Sequence, residues 1–311
     1  MTEFGGPEVL RPGELPDPEP GEGETLVRVA RAGVNFGDTH VTRNDYLADQ
    51  QLPLVPGGEI SGATPDGRRV AALLMNGGYA ELAAVPDAAL VPVPDAVDDD
   101  QAAALLVQGL TARSLLRISA RLEAGESVVI AAAAGGTGSL AVQLAKRIGA
   151  GRVIGLASSE EKRQLILELG ADAAVDSTAS DLRDAILAAN DGKPVDVVLE
   201  MSGGDAFEQC LRALAPFGRL VTFGIASREE NSVRSGHLMR NSRAVVGFWI
   251  VHLFGRPDLL REGLEEVFGA AAAGELRAVI GAVYPLSEVA RAHEEIAARR
   301  THGKLLLDPS K

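Results

Sequence analysis

Cysteine is almost missing from this chain of 311 residues: Cys210 alone occurs. No disulfide can therefore close within the chain, and no cysteine-built zinc lobe is available. Cys210 lies in the helical pattern Phe207-Glu-Gln-Cys-Leu-Arg-Ala-Leu, where a buried structural thiol is the expected role. Positive charge is also short, with 30 Lys and Arg against 43 Asp and Glu and a formal net charge of −13. No Lys/Arg run offsets that balance, which argues against nucleic acid or an anionic membrane as partner. No apolar stretch reaches the ~18 residues of a membrane span. The opening Met1-Thr-Glu-Phe-Gly-Gly-Pro lacks the charge and apolar core of a signal peptide. A cytoplasmic protein with neither membrane nor nucleic-acid partner is expected.

Glycine, by contrast, is plentiful at 35 residues, as suits an α/β chain with many tight turns. The most informative glycines stand in Ser127-Val-Val-Ile-Ala-Ala-Ala-Ala-Gly135-Gly136-Thr137-Gly138-Ser139-Leu-Ala-Val-Gln-Leu-Ala-Lys146. A β-branched run passes into small residues, then glycines, then helix formers: strand, turn, helix. Such a turn presents backbone N–H groups and the positive end of a helix dipole to a pyrophosphate. The match to G-x-G-x-x-G is incomplete, since Ala133 holds the first position and Gly135 and Gly138 the other two. Alone it also reads as a structural turn; its surroundings favour nucleotide binding.

Those surroundings alternate strand and helix. Strands are expected at Val128–Ala131, Val153–Ala157, Ala173–Val175, Val195–Glu200, Arg219–Phe223 and Ala244–Trp249, with helices between most of them. Six strands with crossover helices imply a doubly wound parallel sheet, with the glycine turn after its first strand. The first hundred residues are rich in Pro and Gly and carry short alternating runs, such as Thr25–Arg31, Arg69–Leu73 and Tyr79–Val85. They read as a mostly antiparallel β domain. Leu90–Asp100 reads as a connector whose aspartates form a solvated start to a helix over Gln101–Ile118. The last sixty residues are expected to pack back on the first domain. The α/β chain thus divides into a β-rich domain of residues 1–100 and 252–311 and a dinucleotide-binding domain of residues 101–251.

The second strand, Arg152-Val-Ile-Gly-Leu-Ala157-Ser158-Ser159, decides the dinucleotide. NAD sites usually end it with a carboxylate ~20 residues past the glycines, for the ribose 2′-OH. None ends it here. Small hydroxyls follow, then Lys162, which favours a 2′-phosphate and hence NADPH. Lys162 read alone is equally a surface helix residue, and Arg163 is a weaker candidate for the same role.

Several segments in order resemble one family: Gly33-Val-Asn35-Phe-Gly-Asp38, Pro56-Gly-Gly-Glu-Ile-Ser-Gly62, Gly78-Tyr-Ala-Glu, Ala102-Ala-Ala-Leu-Leu-Val-Gln108-Gly-Leu-Thr111-Ala, the glycine turn, Gly170-Ala-Asp and Gly303-Lys304. The chain is similar over nearly its whole length to the quinone oxidoreductase (zeta-crystallin-like) branch of the medium-chain dehydrogenase/reductases. The resemblance implies a GroES-like catalytic domain, a Rossmann domain and NADPH-dependent hydride transfer. It departs at its start, with almost nothing before Glu3-Phe-Gly-Gly-Pro7, and at Ser177, where many relatives carry a Tyr.

Alcohol dehydrogenases of the superfamily hold zinc with a Cys where this chain has Asn35 and a His where it has Gly58. The five histidines (His40, His237, His252, His293, His302) show no ligand spacing, so no metal is expected. The resemblance places Asn35, Tyr46 and Thr111 near the nicotinamide and its ribose, with Phe223-Gly224 and Phe248-Trp249 bordering its amide. Gly135, Gly136, Thr137 and Gly138 fall to the pyrophosphate, Ser158 and Lys162 to the 2′-phosphate, and Lys304 to the cofactor. Tyr46 is a proton donor or substrate-polarising hydroxyl, or else a wall of the site. Asp38 orients neighbours rather than acting as a base, Trp249 is wall or core, and Tyr79 is structural. The expected acceptor is a quinone or enone. The alternatives are an enoyl-thioester reductase, with Arg31, Arg43, Arg234 and Arg240 as a possible basic entrance, or a non-catalytic NADPH-binding protein. A homodimer is expected from the family.

Overall fold

The computed structural model describes residues 1–45, 47–229 and 231–311. Along the chain, β1 (Glu24–Val34) leads to the short α1 (Asp38–Val41), then to β2 (Glu59–Ala63), β3 (Arg69–Leu73), β4 (Leu82–Pro86) and β5 (Leu90–Pro92). Helix α2 (Asp99–Ser114) opens a run of alternating elements: β6 (Ser127–Ile130), α3 (Gly136–Ile148), β7 (Arg152–Ala157), α4 (Glu160–Glu168), β8 (Ala173–Asp176), α5 (Leu182–Ala189), β9 (Val195–Glu200), α6 (Gly204–Ala213), β10 (Leu214–Thr222), α7 (Ser235–Asn241) and β11 (Ala244–Gly247). The chain closes with α8 (Pro257–Ala272), β12 (Ile280–Pro285), α9 (Val289–Ala297) and β13 (Lys304–Asp308).

Two compact units result: Met1–Gln108 with Leu264–Lys311, and Gly109–Gly263. Their borders fall inside α2 and α8 rather than in loops, eight and twelve residues beyond the expected 100/101 and 251/252 divisions.

In the first unit a seven-stranded sheet runs β12-β13-β1-β2-β3-β5, with β4 also on β1. All its pairs are antiparallel except β12 with β13. The final strand lies on β1, Ala32 opposite Leu307 and Val34 opposite Leu305. Alternation drives this sheet: Val27 and Val29 of β1 are buried while Arg28 between them is exposed. The inward faces form a core with Ile60, Val85, Leu305 and Leu307.

The second unit is a six-stranded parallel sheet in the order β11-β10-β9-β6-β7-β8. The order reverses between β6 and β9, which makes a topological switch point there. Strand β6 is buried along its whole length, as a sheet covered on both faces requires. Phe207 of α6 sits in the core on one face with Ile154, Val198 and Leu220.

Two expectations change. Leu90–Pro92 is no mere connector, since it pairs with β3 through Val91 opposite Ala71. The proline at Pro92 is tolerable on an edge strand, which is why composition disguised it. The acidic run is not simply solvated. Asp98 receives the Gln101 N–H at 2.7 Å, Asp99 pairs with Arg69 at 2.7 Å and Asp100 with Arg31 at 2.6 Å. Partners distant in sequence are invisible to local patterning.

Phe207→Ala should lower the stability of the second unit by about 3–5 kcal/mol. Chemical denaturation against the unsubstituted chain measures it.

Candidate active site

The glycine turn is built as a strand–helix junction at the carboxyl end of β6. Ala133 N–H donates to Leu156 O of β7 at 3.0 Å, and Gly135 N–H to Ala132 O at 2.9 Å, folding the turn back on itself. Gly138 must be glycine, because a Cβ there would meet the Ala132 carbonyl and stand 2.6 Å from Ala133 Cα. Ala133 fits the first motif position because β7 opposes it with Gly155. A Cβ on Gly155 would lie 3.0 Å from Ala133 Cβ and would collide with Ile166. The missing glycine has in effect moved to the neighbouring strand.

Helix α3 then begins at Gly136 with no side-chain cap on its first turn. Its leading N–H groups have no intrahelical partner and carry the positive end of the dipole. Gly135, Gly136 and Thr137 are half-buried while Gly138 is buried. This is a cradle of backbone donors that fits a pyrophosphate.

Ser158 and Ser159 are exposed past the end of β7. Ser159 caps α4, accepting the Lys162 N–H at 3.3 Å. The Lys162 ammonium is half-buried, and desolvation lowers its pKa. Arg163 is engaged elsewhere, pairing with Glu160 at 3.0 Å and Asp176 at 3.3 Å. Phe223 and Phe248 follow the carboxyl ends of β10 and β11, their N–H groups held by Glu200 O at 3.1 Å and Thr222 O at 3.0 Å. Gly224 is half-buried beside Phe223, and the half-buried Trp249 meets His252 edge-on at 5.5 Å. Thr111 is buried on α2. Within this unit the structure brings the glycine turn, Ser158, Phe223, Gly224 and Phe248 to the carboxyl edge of one parallel sheet, where such sheets bind ligands. Glu200 belongs to that edge and escaped the sequence reading. Its fully buried carboxylate accepts Ser202 N–H at 2.6 Å, and burial raises its pKa.

In the first unit the chemistry gathers around a buried ion pair. Lys304 and Glu59 are 2% and 0% exposed, and the ammonium contacts Glu59 Oε1 directly. Lys304 Nζ also donates to Asn35 Oδ1 at 2.9 Å, while Asn35 Nδ2 donates to Glu59 Oε1 at 3.0 Å. Glu59 Oε2 accepts the Val107 N–H at 2.7 Å, and Gln108 Nε2 donates to Asn35 Oδ1. Gly33 makes room for this arrangement, since a Cβ there would stand 2.6 Å from Glu59 Cδ. Lys304 therefore does not extend towards solvent, and it can serve a ligand only through the groups it holds.

Asp38 is the second acceptor of the cluster. Its Oδ2 receives Asn35 N–H at 2.8 Å and Tyr79 O–H at 2.7 Å. Burial raises its pKa, and these two hydrogen bonds oppose the rise. With its proton given to Asp38, the Tyr79 oxygen accepts from His293 Nε2, 3.1 Å away. The imidazole therefore carries its proton on Nε2, leaving Nδ1 buried with no partner among the described residues. Tyr46 lies outside the described residues.

Sequence reasoning found Asn35, Asp38 and Lys304 but missed Glu59, Gln108 and His293 as members of this cluster. One signal was available. Glu59 opens the small and apolar strand Glu-Ile-Ser-Gly-Ala and Lys304 opens Lys-Leu-Leu-Leu-Asp, and a charge that is buried there needs a partner.

Both units match known families. Residues 21–95 match the alcohol dehydrogenase GroES-like domain, and residues 136–268 match the zinc-binding dehydrogenase family. A quinone oxidoreductase of Pseudomonas aeruginosa is 37% identical, over 98% of this chain and 97% of its own. The Thermus thermophilus quinone oxidoreductase, solved also as its complex with NADPH, superposes with a TM-score of 0.87 at 38% identity, covering 95% of each chain. The Escherichia coli quinone oxidoreductase complexed with NADPH superposes with a TM-score of 0.93 at 31% identity, covering 99% of this chain and 98% of that one.

Burial holds the His293 imidazole down to about 4, against about 6.5 in an unfolded chain. As pH falls from 6.5 towards 4, the unfolded chain takes up a proton that the folded one refuses, so stability drops. Between pH 7 and pH 5 the loss from this group should be about 2 kcal/mol. His293→Gln should remove that part of the slope in urea titrations at the two pH values.

Proposed function

This oxidoreductase belongs to the quinone oxidoreductase branch of the medium-chain dehydrogenase/reductases, and we propose that it passes hydride from NADPH to a quinone or a similarly electron-poor acceptor without zinc. The observation that carries the reading is the Lys304 ammonium, in contact with both Asn35 and Glu59. Superfamily alcohol dehydrogenases place a zinc ligand at the position of Asn35 and another at that of Gly58. Here neither residue supplies a thiolate or an imidazole, and a fixed positive charge faces any arriving cation. The donor set does not fit zinc. Without a Lewis acid to polarise it, an alcohol or simple carbonyl is poorly served. A quinone is already electron-poor and needs only a well-placed hydride and a proton.

NADPH, when bound, supplies the hydride. The chain's own residues bind and orient it. The N–H groups at Gly136, Thr137 and Gly138 take the pyrophosphate, with Gly135 opening the turn. Ser158 and Lys162 meet the 2′-phosphate, for which the half-buried, desolvated ammonium is suited. Phe223, Gly224 and Phe248 flank the nicotinamide amide, and Asn35 and Thr111 meet the nicotinamide and its ribose. Asp38 orients Asn35 through the backbone N–H it accepts and is not a base. Tyr46 is the proton donor to the reduced acceptor.

An enoyl thioester is less well supported. Arg31, one candidate for a basic entrance, is already paired with Asp100 at 2.6 Å and Asp308 at 3.4 Å. The working form is a cytoplasmic homodimer. The edge strand β11 is only partly covered, and the exposed Phe217 and Met239 lie on elements adjoining it. An unpaired edge beside exposed apolar side chains suits a second copy across a two-fold axis. Light scattering should give twice the chain mass, and Val245→Lys should return it to one.

NADPH consumption with a para-quinone and with a crotonyl thioester tests the acceptor. Quinone turnover should be the faster; faster thioester turnover would reassign the enzyme. Lys162→Ala should cost about tenfold or more in preference for NADPH over NADH. An unchanged preference would remove Lys162 from the phosphate site.

A further inference from the structure

The buried cluster around Lys304 has a direction. An ammonium can only donate, so Asn35 must turn its Oδ1 towards Lys304 and its Nδ2 towards Glu59, as the 2.9 Å and 3.0 Å contacts show. That same Oδ1 accepts from Gln108 Nε2. Rotating the Gln108 amide would set two carbonyl oxygens against each other, so its orientation is fixed as well. The chain of consequences ends at Gln108 Oε1, which is buried and has no partner among the described residues. Gln108 is 7% exposed, on a helix whose neighbours Ala102 to Leu106 and Leu110 are wholly buried apolar residues. Thr111 stands one turn further on, and residues three apart share a helix face.

A buried acceptor held in place by a charge calls for a donor. A quinone offers only acceptor oxygens, so it cannot supply one. The nicotinamide riboside half of the cofactor carries ribose hydroxyls and a carboxamide N–H, all donors. We propose that Gln108 Oε1 is a binding group for the nicotinamide riboside of NADPH, accepting from one of these donors. Lys304 is the positioning residue that sets its direction through Asn35. The inference rests on the reading that NADPH is the cofactor.

The test is affinity, measured by titration calorimetry for NADPH and for 2′,5′-ADP, which lacks the nicotinamide riboside. Gln108→Met keeps the bulk of the side chain and removes the acceptor. Its Kd for NADPH should rise about five- to tenfold while that for 2′,5′-ADP stays unchanged. An unchanged NADPH affinity would overturn the assignment, and so would an equal rise for both ligands. A second variant tests the positioning. Lys304→Met is combined with Glu59→Gln so that no lone charge is left buried. It should show the same selective loss, and wild-type affinity for NADPH would overturn the role of Lys304. If the unsubstituted chain binds 2′,5′-ADP and NADPH no better than NAD, the cofactor reading fails instead.

Discussion

A lysine and a glutamate shut away from water together hold the first unit in order. Removing two charges from water costs several kcal/mol each, and the cost is offset only when every remaining lone pair and proton finds a partner. Glu59 meets that condition: one oxygen takes Lys304 and Asn35, the other the Val107 N–H. The pair therefore does more than join two side chains. It fixes strand β13 against β2, fixes the segment after β1 through Asn35, and reaches the end of the first unit at Val107 and Gln108. Asp38, Tyr79 and His293 continue the same polar seam from Asn35 inwards. Specificity of arrangement, rather than net stability, is what such a seam contributes.

The second unit solves a different problem with backbone alone. The turn after β6 carries no charged side chain among Ala132 to Gly138, only N–H groups aimed by a helix start and by close packing. The exchange of room between Ala133 and Gly155 shows that a fingerprint is a statement about space. An alanine can stand at a glycine position when the strand beside it gives up its own side chain.

The parallel sheet was legible because its strands are continuous apolar runs set between helices, and all six were located within a few residues. The antiparallel unit was less so. Strand β5 is three residues long and ends in proline, so its pairing with β3 left no local trace. The glycine turn and the hydroxyls after β7 could be located directly, because each is a run of consecutive residues at a strand end. The polar seam could not, since Asn35, Glu59, Gln108, His293 and Lys304 come from five separate stretches of chain. Asn35 and Lys304 were reached by resemblance; their partners needed the register of β1, β2 and β13. The acidic run before α2 was misread for the same reason, its arginine partners lying about thirty and seventy residues earlier.

The seam also sets a timetable for the newborn chain. Glu59 and Lys304 are 245 residues apart. At a ribosomal pace of about 5–20 residues per second, roughly 12 to 50 seconds separate their synthesis. Throughout that interval the Glu59 carboxylate lacks the Lys304 ammonium, and the Ala32–Val34 end of β1 waits for the strand that pairs with it. The inserted unit, Gly109–Gly263, is synthesised in full before β13, so it can fold while the sheet of the first unit still lacks its later strands. Closure of the first sheet therefore waits for Lys304–Asp308, the strand that pairs with β1.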